Sequence, residues 1–265
     1  MLNRLRITVA LVLLASTLTL ARGAPWPSWA TGPQLGWLAL SGLVGFVFGD
    51  AHFFRALVIL GPGRATLLAS LAPVFTALIA WPVLHEHPGP LALLGMALTL
   101  GGILWVIQAS DHRLVPHAEG SVLSGVLSGV LGALGQAAGY VLSKIALSSG
   151  LDPLSATVVR VAAAVVAMWL IAGARGEVGT SLAGLRDRRG SLFMAGGACC
   201  GPFLGVTLSL VALQRAEAGV VASITACYPV LAIVIASRFH GERLTARILL
   251  GALVTVAGVV VLFTR

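Results

Sequence analysis

An internal duplication constrains the fold of this chain more than any other feature of its sequence. The segment from Gly63 to Gly102 returns as the segment from Gly219 to Gly258, each position displaced by 156 (219 − 63) without a gap. The matched pairs are Pro73 with Pro229, Glu86 with Glu242, Gly95 with Gly251, and Gly102 with Gly258. A constant offset of this kind indicates a repeated structural unit, so the two halves are expected to fold alike.

The composition indicates a membrane protein. Hydrophobic residues make up 58% of the 265 residues and charged residues only 10%, whereas soluble domains carry about 25% charged residues. Apolar runs of about 18 residues or more, long enough to cross a bilayer, recur along the chain. The net charge of +8 is explained by basic residues in short cytoplasmic loops, so it does not indicate nucleic-acid binding.

Hydropathy predicts nine spans, which makes the chain an all-α, polytopic helical membrane protein. The spans are 5–21, 35–60, 65–84 and 90–109 in a first group, then 121–147, 154–174, 191–213, 219–237 and 246–263 in a second. The duplication assigns residues 1–109 to a first repeat, 110–120 to a connecting loop and 121–265 to a second repeat. The counterpart of span 121–147 would precede Met1, so we expect two repeats of five helices with the first helix of the first repeat missing.

The two repeats are expected to have opposite orientations in the membrane. Arg4 and Arg160 are equivalent positions, and five predicted spans separate them. An odd number of crossings reverses direction, which gives an inverted-topology repeat, as found in many transporters with a substrate site near the midplane. Arg4 and Arg6 before an apolar run also fit a signal peptide, but the pairing of Arg4 with Arg160 favours a retained span.

Several repeated residues are interpreted as scaffold. Pro73 and Pro229 each remove a helix hydrogen bond in mid-span and are expected to allow a kink. Glu86 and Glu242 precede helices, where a carboxylate favours the N-terminal dipole, so helix capping is the expected role. Glycines spaced by four residues are expected to permit close helix contact. These glycine pairs are Gly125 with Gly129, and Gly135 with Gly139.

Polar side chains within spans are the candidates for function, because Asp, Lys or Arg at a helix centre costs about 2.5–3.5 kcal/mol. Span 35–60 contains Asp50, His52 and Arg55. Asp50 lies deep, either lining a substrate cavity or hydrogen-bonded as a structural carboxylate. On a regular helix it points about 140–160° away from His52 and Arg55. Arg55, near the end of the span, also fits a side chain that reaches the headgroups.

A polar stripe runs along the span 121–147. Gln136, Tyr140 and Lys144 recur every four residues and occupy an arc of about 80° on a helix. Such a stripe on an otherwise apolar helix favours a cavity lining. Arg160 opens a later span and is a further candidate, either as an interface anchor or as a ligand for an anionic group of a substrate.

No cofactor or metal is predicted. The sequence has no H-E-x-x-H, G-x-S-x-G, Walker A or dinucleotide-binding glycine motif, so neither a pump nor an enzyme is indicated. His85, Glu86 and His87 are adjacent loop residues whose side chains diverge. Cysteines lie within apolar runs and are interpreted as small apolar fillers. These cysteines are Cys199, Cys200 and Cys227.

The repeated pattern P-x12-E-x8-G-x6-G, starting at Pro73 and again at Pro229, resembles the EamA domain of the drug/metabolite transporter superfamily. The segments G-D-A-H-F-F-R-A-L and A-P-V-F-T-A-L-I-A-W are similar to a bacterial branch of it. This resemblance implies ten helices in two repeats, a bacterial inner-membrane location, and export of small metabolites, amino acids or drugs. It also implies that the helix 121–147 lines the central cavity.

We therefore expect a secondary transporter rather than an enzyme, with Asp50, His52, Gln136, Tyr140, Lys144 and Arg160 as cavity candidates. The expected partners are a small-molecule substrate and the lipid bilayer, with no nucleic acid, and a homodimer is left open. A non-transporting membrane subunit or regulator is the alternative, and a membrane enzyme acting on lipid-linked substrates is a weaker one. Loop charges place Met1 in the cytoplasm, whereas the resemblance implies a cytoplasmic C-terminus, so orientation stays open.

Overall fold

The computed structural model describes residues 2–109, 121–227 and 245–263, and within these ranges it contains helices and turns but no β-strand. The all-α prediction is confirmed for this part of the chain. Helices are the expected solution in a bilayer, because each helix satisfies its own backbone hydrogen bonds where no water is available.

The part before the connecting loop contains α-helices and one wide π-helical turn. Its elements are α1 (Leu2–Arg22), α2 (Gly32–Gly42), π1 (Leu43–Gly49), α3 (Asp50–Leu60), α4 (Pro62–Ala69), α5 (Ala72–Leu84) and α6 (Pro90–Ala109).

The part after the loop repeats this pattern behind an additional long helix. Its elements are α7 (Val122–Leu147), α8 (Pro153–Ala174), α9 (Val178–Ala183), a 3-10 turn (Gly184–Arg186), α10 (Arg188–Ala198), π2 (Cys199–Gly205), α11 (Val206–Leu213), α12 (Ala218–Thr225) and α13 (Ala246–Phe263).

The described helices make the chain a multi-pass membrane protein. Among the described residues, five continuous helical segments are long and apolar enough to cross a bilayer. These segments are Asn3–Arg22, Gly32–Leu60, Val122–Leu147, Pro153–Ala174 and Arg188–Leu213. Shorter apolar helices are Ala72–Leu84, Pro90–Val106 and Ala246–Leu262. Each of these segments falls within or overlaps a predicted span, although Ala72–Leu84 covers only part of the span 65–84. The greater part of predicted span 219–237 lies outside the described residues.

The predicted span 65–84 is not one kinked helix. The α4 helix ends at Ala69 and α5 begins at Ala72, with a turn between them. Leu71 N donates to Leu68 O at 3.1 Å and closes that turn. Pro73 lies in the first turn of α5, where its missing N–H costs nothing because that donor would have no helical acceptor. The proline therefore starts a helix instead of bending one.

Element boundaries reproduce the sequence offset of 156. The α2 and α10 helices, the π1 and π2 turns, and the α4 and α12 helices each begin and end at equivalent residues. Both π turns close with the same wide hydrogen bond, from Asp50 N to Gly45 O and from Val206 N to Gly201 O. The two halves therefore share local backbone geometry as well as sequence.

The chain separates into two compact units. The first unit comprises Met1–Asp50 and Leu142–Arg215, and the second comprises Ala51–Val141 and Ala216–Arg265. The repeats are consecutive in the sequence, whereas the units are defined by which residues contact one another in space. Each unit therefore contains segments of both halves.

In the first unit, α1 packs against α8 around a buried apolar core. Gly42, at the end of α2, allows a close approach to α8, because a side chain there would collide with the backbone carbonyl of Arg160. A polar contact also joins α1 to α8, since Trp169 Nε1 donates a hydrogen bond to Thr8 Oγ1 at 3.0 Å. The core residues are Ile7, Leu14, Leu18, Phe46, Val158, Val161, Ala164 and Val165.

In the second unit, α6 and α13 cross with their backbones in contact. A methyl group at Gly102 would lie 2.8 Å from Gly251 O, and one at Gly95 would lie 3.1 Å from Gly258 O. As residue numbers increase along α6, from Gly95 to Gly102, the residue numbers that they contact on α13 decrease, from Gly258 to Gly251. These equivalent helices therefore run antiparallel. Gly95 contacts Gly258, the sequence equivalent of Gly102, and Gly102 contacts Gly251, the sequence equivalent of Gly95. The two halves therefore contribute equivalent residues to the crossing.

Glycines elsewhere in this unit confirm part of the predicted close packing. A side chain at Gly125 would lie 2.7 Å from Leu60 Cδ2, and one at Gly129 would lie 2.8 Å from Leu68 Cβ. Helix α7 therefore uses its small residues to approach its neighbours, as expected where apolar burial does not itself drive helices together.

The crossing predicts which glycines tolerate a side chain. Gly102→Ala should destabilise the protein by about 1–3 kcal/mol, the usual cost of an overpacked contact, and Gly258→Ala should do the same. Gly101→Ala is the matched control, because nothing lies within 4 Å of a side chain at that position. Apparent melting temperatures of purified protein in detergent test this. Equal melting temperatures for Gly102→Ala and Gly101→Ala would contradict the crossing.

Candidate functional site

Charged side chains buried in the first unit define the candidate site. Only 3% of Arg160, 7% of Asp50 and 8% of Arg4 is exposed. A charge removed from water is expensive unless it is paired or hydrogen-bonded. Their surroundings therefore show what the protein does with these charges.

Asp50 forms an ion pair with Arg6. Arg6 Nη2 lies 3.0 Å from Asp50 Oδ2 and also donates to Asn3 Oδ1 at 2.7 Å. Asp50 is the first residue of α3 and directly follows π1, so the wide turn sets the direction of its side chain. The pair connects the first turns of α1 to the junction of π1 and α3.

Arg160 also packs on π1. Its guanidinium carbon lies 5.2 Å from the centroid of the Phe46 ring, within the range of a cation–π interaction. A side chain that reached the lipid headgroups would be exposed, so the burial of Arg160 does not fit the interface-anchor interpretation. Asp50 and Arg160 thus lie at the same turn: Asp50 follows it in sequence, and Arg160 stacks on its Phe46 ring.

Polar contacts join α2 to the C-terminal part of α7. The hydroxyls of Ser41 and Ser143 share a hydrogen bond of 2.7 Å, and neither residue is exposed. Gln34 Nε2 donates to Ser149 Oγ at 2.8 Å. Lys144 follows Ser143 and is half-buried. Since Gly42 meets α8, the adjacent residues 41 and 42 bring α7 and α8 to the same level of α2.

The remaining predicted residues belong to the second unit. His52, Gln136 and Tyr140 are half-buried there. The α7 helix is continuous over Val122–Leu147, so Gln136 and Tyr140 lie on one face of the same helix as Lys144. Asp50, Lys144 and Arg160 belong to the first unit.

Arg4 has a different environment from its sequence equivalent Arg160. Its guanidinium donates to Ser181 Oγ at 2.6 Å and to Glu177 Oε2 at 3.0 Å, and lies 5.7 Å from the Trp169 ring centroid. It ties α1 to the C-terminal end of α8 and to the segment that follows. The equivalent residues therefore have different contacts. Arg4 joins α1 to Glu177 and Ser181, a set of contacts here called the latch, whereas Arg160 stacks on π1.

Two residues have partners in the structure that the sequence did not predict. Arg6 lies in α1, within the predicted span 5–21, and pairs with Asp50. Glu86 does cap a helix, but not the α6 helix that follows it. Its Oε2 accepts from Ala218 N, the first residue of α12, at 2.8 Å. Glu242 lies outside the described residues.

Neither Arg55 nor the sequence His85–Glu86–His87 adds to the site. Arg55 is exposed and its Nη2 donates to Ser124 Oγ at 3.1 Å. Across residues 2–109, 121–227 and 245–263, no group of three His, Cys, Asp or Glu side chains has an arrangement that could hold a metal ion.

Comparisons with known proteins give a family and a similar fold. The family model described as EamA-like transporter family matches residues 1–108 and 123–264. An uncharacterized membrane protein of Saccharomyces cerevisiae is 28% identical over 118 residues, which cover 40% of this chain and 28% of that protein. The match thus spans about a quarter of the yeast protein. A solved crystal structure is similar in fold, with a TM-score of 0.72 and 19% identity, covering 99% of this chain and 87% of the other.

The latch formed by Arg4 should give a pH-dependent contribution to stability. The hydrogen bond from Arg4 holds the pKa of the Glu177 carboxyl below its ordinary value, although partial burial opposes this effect. A depressed folded-state pKa contributes stability above the unfolded-state pKa, and that contribution is lost as pH falls through the folded-state value.

We therefore expect wild type to melt at a higher temperature than Glu177→Gln at about pH 7. The difference should shrink as pH falls below the ordinary carboxyl range of about 4. Melting curves of both proteins over this range in the same detergent measure it. A difference that stays constant with pH would contradict the latch.

Proposed function

The chain belongs to the EamA-like transporter family, and from that premise we propose that it is a secondary-active transporter that exports small metabolites, amino acids or drugs. The proposal places it in the bacterial inner membrane, with a small molecule as substrate and the bilayer as its surroundings. Transport occurs by alternating access between two inverted repeats.

The antiparallel crossing of α6 and α13 is the observation that carries this proposal. Equivalent helices that run in opposite directions are the hallmark of an inverted repeat. An inverted repeat has two near-equivalent packings, and exchange between them opens a central site first to one side of the membrane and then to the other. The equal boundaries of the π turns and of α4 with α12 support the same interpretation.

The buried charges of the first unit supply the substrate-binding groups in this proposal. Asp50 directly follows π1 and Arg160 stacks on its Phe46 ring. Lys144 lies on the helix that Ser41 ties to α2. Ionisable groups at membrane depth normally serve a substrate or ion pathway, since their insertion cost selects against them elsewhere. Asp50 takes up the coupling proton if export is proton-driven.

We also propose that His52, Gln136 and Tyr140, which belong to the second unit, contact the substrate. Gln136 and Tyr140 share a face of α7 with Lys144, so one helix presents a continuous polar stripe to the substrate. Amide, phenol and ammonium groups on such a stripe can exchange hydrogen bonds with a passing polar molecule. The apolar remainder of α7 packs through Gly125 and Gly129.

The export proposal predicts a metabolite difference that depends on the named charges. A strain that overproduces the protein should secrete at least one small metabolite faster than a deletion strain, as measured by mass spectrometry of the culture medium. Lys144→Met and the double variant Arg6→Gln/Asp50→Asn should lower that excess by about tenfold or more, equivalent to about 1.4 kcal/mol in the transport barrier. The double variant avoids leaving either partner charged and alone.

Arg55→Gln is the matched control, because Arg55 is an exposed charged residue in the span that also contains Asp50. It should secrete like wild type at equal membrane abundance. If Lys144→Met and the double variant also secrete like wild type at equal abundance, the site assignment is wrong. If overproducing and deletion strains secrete the same metabolites, the export function is wrong.

A further inference from the structure

Two π-helical turns occupy equivalent positions in the two halves. Both π1 and π2 contain seven residues, and their first residues, Leu43 and Cys199, are 156 positions apart. π-Helices account for well under about 1% of residues in proteins and occur mostly as single turns, frequently at functional sites. Two at one offset are a property of the repeat and not a local accident.

The sequences of the two turns differ at one informative position. Both have glycines at equivalent places, but Phe46 of π1 corresponds to Pro202 of π2. A proline in a regular α-helix loses a hydrogen bond, and its ring collides with the carbonyl four residues earlier. The wider turn moves that carbonyl away, so Pro202 favours π2 in its open form. Phe46 keeps its N–H, so its covalent structure does not oppose closure of π1 into an α-helix.

Closure of π1 would turn Asp50 away from Arg6. A π turn contains one residue more than the α-helical path it replaces. Closing it without removing a residue shifts the register of α3 by one position, which is about 100° of rotation and about 1.5 Å of rise. The Oδ2 atom of Asp50, now 3.0 Å from Arg6, would then leave its partner.

Some of the groups that contact π1 are polar and can exchange partners. Asn3 Nδ2 lies 3.5 Å from Phe46 O, and Arg160 stacks on the Phe46 ring. Leu43 and Phe48 of the turn are 38% and 40% exposed, whereas Phe46 and Val47 pack in the apolar core of the first unit. A change of register at π1 therefore has to repack Phe46 and Val47 in that core.

We propose that π1 is the element that positions Asp50 during transport. It alternates between an open π form, with Asp50 on Arg6, and a closed α form, with Asp50 released, whereas Pro202 keeps π2 open. The inference rests on the proposed transport function, because it assigns the two forms to two states of the transport cycle. It makes Phe46 a positioning residue that acts through Asp50.

Amide hydrogen exchange of the full-length protein in lipid nanodiscs tests this without a substrate. Exchange reports the opening of individual backbone hydrogen bonds. In wild type, the amides of residues 46–50 should exchange at least about tenfold faster than those of residues 203–206. Phe46→Pro, which copies the second repeat, should slow exchange at residues 47–50 to the rate of π2. Phe46→Ala is the matched control, since it removes the ring but keeps the N–H, and its exchange at these residues should stay fast.

The reciprocal variant covers the case in which Phe46→Pro does not fold. Pro202→Phe should raise exchange at residues 203–206 to the wild-type rate of π1. Equal exchange rates of π1 and π2 in wild type would overturn the proposal, as would unchanged rates at π2 in Pro202→Phe. Because exchange needs no substrate, failure of the export experiment would reject the transport function separately from this result.

Discussion

The backbone contact between α6 and α13 is the constraint on which the rest of the structure depends. Lipid tails are as apolar as leucine side chains, so membrane helices gain little from burying apolar surface and rely on close packing instead. Gly95 and Gly102 on one helix meet Gly258 and Gly251 on the other. Since the four residues are two equivalent pairs, a single contact fixes both halves of the duplication. The halves can share it only by running in opposite directions, which is the geometry on which the proposed alternating access rests.

The free-energy cost of burying charged side chains in a membrane determines the polar contacts of the first unit. Asp50 is buried against Arg6, Arg160 lies on Phe46, and Arg4 is engaged by Glu177. Removing one member of such a pair is costlier than replacing both, because the remaining charge stays buried alone. In the proposed closed form of π1, Asp50 is released from Arg6. The wide turn next to the ion pair is, in that proposal, the local means by which a buried charge is rearranged.

Much of this fold can be predicted from sequence, because it follows from periodic and compositional signals. Long apolar runs give the spans, a constant offset gives the duplication, and glycines at the predicted positions mediate contact. Features that depend on a single residue of register cannot be found in that way. Hydropathy is the same for an α and a π turn, so π1 and π2 are invisible to it, as is the break before α5. Arg6 as the partner of Asp50, and Glu86 as the cap of α12, depend on which distant segments adjoin, and no local pattern encodes that.

The most direct test of the inverted repeat is the side of the membrane on which equivalent loops lie. Trp29 and Leu185 are each 44% exposed and occupy equivalent positions 156 residues apart. Each would be replaced in turn by cysteine in a protein whose native cysteines are serine. A membrane-impermeant maleimide would then be applied to intact cells and to inside-out vesicles. The account predicts that one position reacts only in cells and the other only in vesicles. Reaction of both positions from the same side would contradict it.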